Sequence, residues 1–254
     1  MNRSQQSFAW CLLIWGLIIS GAPSLEAAEW GSLSGKFVYT GKPVKQKQGP
    51  FPVDESLVIG PQGGIKNIFV FLKDRNFKQE LIHPDIHKQP FQVTLLHQGN
   101  RIQPHAACLW QPHQKLAILD QDGISHLTHF FPIKNHLPDP IGIDPLRKKI
   151  IQFKHPELLP MQIKCDVHPW ETGYILVQSH PYFALTDETG AFQIKNLPVG
   201  EWEFHIWHEK VGGLAAREEW QKGRIKVQIK PGDNDLGVIK VSPEILQIKS
   251  DSKQ

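Results

Sequence analysis

Cysteine is scarce: the 254 residues hold three, Cys11, Cys108 and Cys165. So few thiols exclude a framework of several disulfides. Methionine is scarcer still, with only Met1 and Met161. No excess of one charge exists either, since 28 Lys+Arg against 25 Asp+Glu leave +3. The run "RKK" at 147–149 is too little to argue for nucleic acid as a partner. There is no glycine-rich phosphate loop and no nucleophile elbow. The clusters "VDE" and "REE" read as solvated carboxylates rather than an acid/base pair, so no catalytic residue and no substrate turnover are expected. After the first 19 residues no apolar run approaches the roughly 20 residues of a membrane span.

What is present begins with a charged start, an apolar run from Phe8 to Ile19, and small residues up to Ala28. That pattern predicts a signal peptide over 1–28, cut near Ala27 or Ala28, and a mature protein in the periplasm or outside the cell. Cys11 leaves with it. Cys108 and Cys165 remain, and in an oxidising compartment two cysteines invite one disulfide. The remaining chain of about 225 residues suits one large or two small domains.

Strand patterns dominate. "SGKFVYTG", "IKNIFVFLKD", "FQVTLLHQGN", "HAACLWQPHQKLAILDQDG", "KIIQFKH" and "TGYILVQ" are rich in β-branched and aromatic residues and are bounded by turn residues. Gly and Pro, 20 each, punctuate at short spacing, and no long helical period appears. "LAAREEWQKG" is at most one short helix, and "KNHLPDPIGIDPLRK" reads as a long loop. The fold class expected is all-β, a β-sandwich over 29–179. Near residue 180 the texture changes. In "GEWEFHIWHE", Trp202, Phe204 and Ile206 fall on one face and Glu201, Glu203 and His205 on the other, a half-buried antiparallel strand. A second, smaller sandwich is expected over 180–243, with a flexible tail at 244–254.

Chemistry concentrates in "MQIKCDVHPWETGY". Histidine is frequent, 13 in all, so a histidine alone singles out nothing, and Cys-x-x-His alone is weak. Between two strands, however, Cys165 and His168 offer two of the three strong donors of a trigonal His-His-Cys copper site. The third should come from the end of another strand, and "LAILDQDGISHLTH" offers His126, 39 residues before Cys165. His129 and His105 stay open as alternatives.

At this point the chain resembles a family. "KLAILDQDGISH" followed by "LPMQIKCDVHPW" and "TGYILV" is similar to the cupredoxins, single-copper β-sandwich proteins, and most to a secreted planctomycete-type branch with a Cys-x-x-His-Pro-Trp-Met loop. "PYFALTDETGAFQIKNLPVGEWEFHIWHE" resembles carboxypeptidase regulatory-like, or transthyretin-like, β-sandwiches. The resemblance implies one copper held by His126, Cys165 and His168, and single-electron transfer to a redox partner docked near His168 and Trp170. Two positions depart from the family. Leu127 replaces an Asn whose hydrogen bond fixes the backbone, and Glu171 stands where the axial Met belongs, which makes Glu171 a candidate oxygen donor. The alternative is an envelope binding or scaffold module, resembling carbohydrate-binding sandwiches, with a vestigial copper site and a Cys108–Cys165 disulfide.

Overall fold

The computed structural model describes residues 29–42, 54–73, 77–137 and 140–247; the signal peptide expected at 1–28 lies outside them. In chain order the strands are β1 (Trp30–Tyr39), β2 (Phe69–Leu72), β3 (Gln92–His97), β4 (Ile102–Gln103), β5 (Ala106–Trp110), β6 (Lys115–Asp120), β7 (His126–Phe130), β8 (Ile141–Ile143) and β9 (Lys148–Ile151). They continue as β10 (Met161–Cys165), β11 (Thr172–Gln178), β12 (Phe183–Leu185), β13 (Ala191–Pro198), β14 (Gly200–His208), β15 (Gly212–Gly213), β16 (Arg224–Ile229) and β17 (Gly232–Val241). The described residues contain no α-helix, only three short 3-10 turns. None of their helices is long and apolar enough to cross a membrane.

The fold is all-β and consists of two sandwiches. One pairs the sheet β5-β11-β10-β7-β8 with the sheet β4-β3-β6-β9. Its core includes Leu95, Leu109, Leu116, Phe130, Phe153, Ile163 and Val177. The other pairs β13-β1-β17 with β12-β2-β14-β15, and β16 adds to β14. Its core includes Leu33, Phe37, Val70, Leu72, Phe204, Ile206 and Ile239.

A single division at residue 180 does not describe this pairing. β1 and β2, assigned from sequence to the first sandwich, lie in the second: β1 runs beside β13 and β17, and β2 beside β12 and β14. The physical reason is burial. Leu33, Phe37, Val70 and Leu72 share one core with Phe192, Phe204 and Ile239, and only that core covers them. The first sandwich is thus inserted between β2 and β12 of the second.

The two are joined through outer faces. Phe69 and Phe71 of β2 and Trp207 of β14 pack on Ala106 of β5 and Leu176 of β11. Alternation along a strand sends neighbouring side chains to opposite faces, so β2 and β11, buried on both, need apolar residues at every position. "FVFL" and "YILV" supply them. The same contact explains β14: Trp207 turns into the junction, and His205, expected at solvent, is buried against Phe71 at 5.3 Å. Burial holds His205 down at about 4, so its ring is neutral there.

Two further expectations are corrected, and the disulfide of the alternative reading is not formed. The stretch read as a long loop carries β8, whose Ile143 pairs with His126 and is buried. The flexible tail does not begin at 244, because Leu246 is fully buried in the second core; residues 248–254 lie outside the described residues. Cys108 and Cys165 are both free, with β11 standing between their strands. Cys108 faces the junction, whereas Cys165 ends the inward-facing row of Met161 and Ile163. Two strand spacings, about 9.5 Å, exceed the roughly 4.4–6.8 Å between the Cα atoms of a disulfide.

Candidate metal centre

The sequence places four donors at one end of the first sandwich. β7 opens with His126 on the inward row that continues through Thr128 and Phe130. β10 ends with Cys165 opposite Thr128. Between Cys165 and β11 the chain makes a tight loop: Glu171 N–H donates to the His168 carbonyl at 2.8 Å, and Cys165 N–H to the Glu171 carbonyl at 3.1 Å. This folds His168 and Glu171 back over the cysteine. Gly173 permits the next step, since a Cβ there would stand 3.0 Å from the His105 carbonyl. The backbone fixation expected to be missing with Leu127 is supplied by the main chain, where Asp166 N–H donates to the Leu127 carbonyl at 2.9 Å.

Cys165 Sγ lies 3.7 Å from His126 Nδ1 and 3.6 Å from His168 Nδ1, and the two Nδ1 atoms are 3.2 Å apart. The Glu171 carboxylate reaches His126 Nδ1 at 3.3 Å and His168 Nδ1 at 3.5 Å. All four donors fall within 4.8 Å of one another. His126, Cys165 and Glu171 are buried at 0–1% exposure, while His168 keeps 15% of its side chain at the surface. Glu171 therefore faces the centre and not solvent, and its Oε1 is buried without a hydrogen-bond partner. A buried carboxylate oxygen left unpaired is costly, and a cation between these donors would satisfy it.

Two partners absent from the sequence reading fix the donors. Asp120, at the end of β6, faces His126 Nε2 at 3.2 Å through Oδ1. A carboxylate only accepts, so Nε2 carries the proton and Nδ1 presents its lone pair to the centre. Asp120 is itself held by N–H donors of Asp122, Gly123 and Leu146 at 2.9, 2.9 and 2.6 Å. Gly123, at φ +74°, allows the turn that aims two of them. Burial opposes the charge of Asp120, but these donors outweigh it and hold its carboxyl below the usual value. For His126, burial and the neighbouring His97 and His168 push the ring below the ordinary imidazole value against Glu171 and Asp120, which favours the neutral, ligating form. The second partner is His97, at the end of β3. Its Nδ1 lies 2.6 Å from Glu171 Oε2 and its Nε2 2.9 Å from Thr128 Oγ1. A polar residue closing the inward row of Val93 and Leu95 is the sequence signal for it.

The alternatives are elsewhere. His129 stacks on Phe131 at 4.3 Å and faces Asp166. His105 lies at the junction of the sandwiches, bonded to Glu209 and 3.8 Å from Glu55. Burial alone would lower His105, but the Glu209 bond and charge, then Glu55, outweigh it and raise the ring above its ordinary value. A raised folded value stabilises fully below the unfolded value of about 6.5. That contribution is lost as pH climbs through the folded value. Urea midpoints of the wild type and Glu209→Gln should therefore differ most at acid pH and converge in alkali. A difference that widens with pH contradicts this.

No family model and no curated protein matches the chain. Similar solved structures include a novel purple cupredoxin from Nitrosopumilus maritimus, 13% identical, over 34% of this chain and 99% of that one, at TM-score 0.29. A reduced amicyanin variant is 11% identical over 43% of this chain and 98% of its own, at TM-score 0.29. A copper-containing nitrite reductase from Thermus scotoductus is 20% identical over 35% and 23%, at TM-score 0.28. Scores this low carry no argument about the chemistry of this chain. One expectation is nevertheless withdrawn. The exclusion of substrate turnover does not stand when a copper enzyme is among the similar structures.

Proposed function

We propose that this chain is a copper protein of the periplasm or cell exterior that transfers single electrons. The observation that supports it is the convergence of one donor atom each from His126, Cys165, His168 and Glu171 within 4.8 Å, with Glu171 Oε1 buried and lacking a hydrogen-bond partner. Two imidazoles, one thiolate and one weaker donor are the set that suits single-copper electron-transfer sites. When bound there, copper supplies a one-electron couple. The chain's own residues do the rest. Asp120 holds His126 in the ligating tautomer, and the strand ends of β7 and β10 keep the donors from moving when the charge changes. His168, with Trp170 tilted against it at 5.5 Å, gives the centre an edge at the surface. Leu127, Val167 and Trp170 are 38–50% exposed, an apolar surface for a redox partner. The second sandwich, in this reading a transthyretin-like module, buries one outer face of the first. The scaffold alternative loses its disulfide, since both cysteines are free.

Metal analysis with a visible spectrum tests the reading on protein expressed with its N-terminal segment. One copper per chain and a thiolate-to-copper absorption are expected. A chain that takes up only zinc, or no metal, overturns it.

A further inference from the structure

We propose that His97 is the positioning residue that makes Glu171 a one-oxygen donor. The proposal rests on the metal reading above. His97 Nδ1 holds Glu171 Oε2 at 2.6 Å, and its Nε2 is anchored to the Thr128 hydroxyl at 2.9 Å. His97, Glu171 and Thr128 are all buried at 0–1%. A carboxylate only accepts hydrogen bonds, so Nδ1 is the donor and Oε2 is committed to it. Oε1 has no hydrogen-bond partner and lies 3.5 Å from His168 Nδ1, whereas Oε2, 3.3 Å from His126 Nδ1, already carries the His97 bond. The two oxygens therefore have different work: one orients the group, and the other is left for the cation. Without His97, Glu171 could turn both oxygens to the ion or swing away, and the donor set would no longer be fixed.

His97 also stacks on the His126 ring, 4.0 Å between centroids at 19°, so a loss on its removal could come from His126 instead. A double-mutant cycle separates the two routes. Cu(II) and Co(II) are the probes, with affinity read by chelator competition and coordination by the visible bands. His97→Leu should weaken binding about 10–100-fold, the range for losing a partner behind a ligand, and alter the Co(II) bands while thiolate absorption persists. In a Glu171→Met background the same change should have no further effect. Losses that multiply in that background place His97 behind His126 and overturn the proposal. Thr128→Val, nearly isosteric, keeps the ring and its stacking and covers the case in which the leucine variant does not fold. Several-fold weaker binding supports the assignment, and wild-type affinity with unchanged bands refutes it. Should the wild type bind neither ion, the metal reading itself has failed, which is seen before any variant is made.

Discussion

Cys165→Ser removes the visible absorption of the copper-loaded protein altogether and weakens copper binding by more than about 100-fold, beyond the loss of an outer partner. The expectation follows from softness and position. A thiolate both binds copper strongly and gives the charge-transfer colour, and a serine hydroxyl does neither. Cys165 is 1% exposed and its Sγ stands against both imidazoles, so no other sulfur can replace it. Cys108 is the internal control. It sits at the junction of the sandwiches, where burial pushes its thiol well above the ordinary value, and Cys108→Ser should leave the spectrum untouched. Absorption that survives Cys165→Ser, or disappears with Cys108→Ser, contradicts the site as described.

The ease of reading Cys165 and His168, and the difficulty of reading His97, have one cause. Cys-x-x-His is local, written in four consecutive residues and confined to a loop of two hydrogen bonds. The link from His97 to Glu171 spans 74 residues and crosses from one sheet to the other, and no periodicity carries such a contact. Strands were legible for the same reason, since alternation is local. Their partners were not: β1 reads as a strand by itself, yet lies parallel to β17 about two hundred residues later. The unbroken apolar runs of β2 and β11 are what burial on both faces requires. What they could not name was the covering face, each other's sheet. Leu246 was lost to its setting: "EILQ" is too short an apolar stretch to show a period, yet Leu246 is buried in the second core and Ile245 packs against it.

If the proposed site takes copper, Glu171→Met should turn the copper-loaded form bluer and raise its reduction potential. Sequence alone left open whether this carboxylate faced the centre or solvent; its burial at 0% and its approach to both imidazoles place it at the centre. A carboxylate oxygen is harder than a thioether and carries negative charge, so it favours Cu(II) over Cu(I). Exchanging it for a neutral, soft sulfur reverses that preference. For a one-electron couple each tenfold change in relative affinity is about 59 mV, and a rise of at least that size is expected. The colour would shift because a neutral, soft fourth donor in place of the carboxylate competes less with the Cys165 thiolate, the donor that would supply the visible absorption beside His126 and His168. Methionine is unbranched, close in length to glutamate and tolerant of irregular space, so the loop can keep its fold. Voltammetry and the visible spectrum of the variant decide the matter. If neither moves, Glu171 is not a donor, and the unpaired oxygen must be satisfied by the protein rather than by a metal.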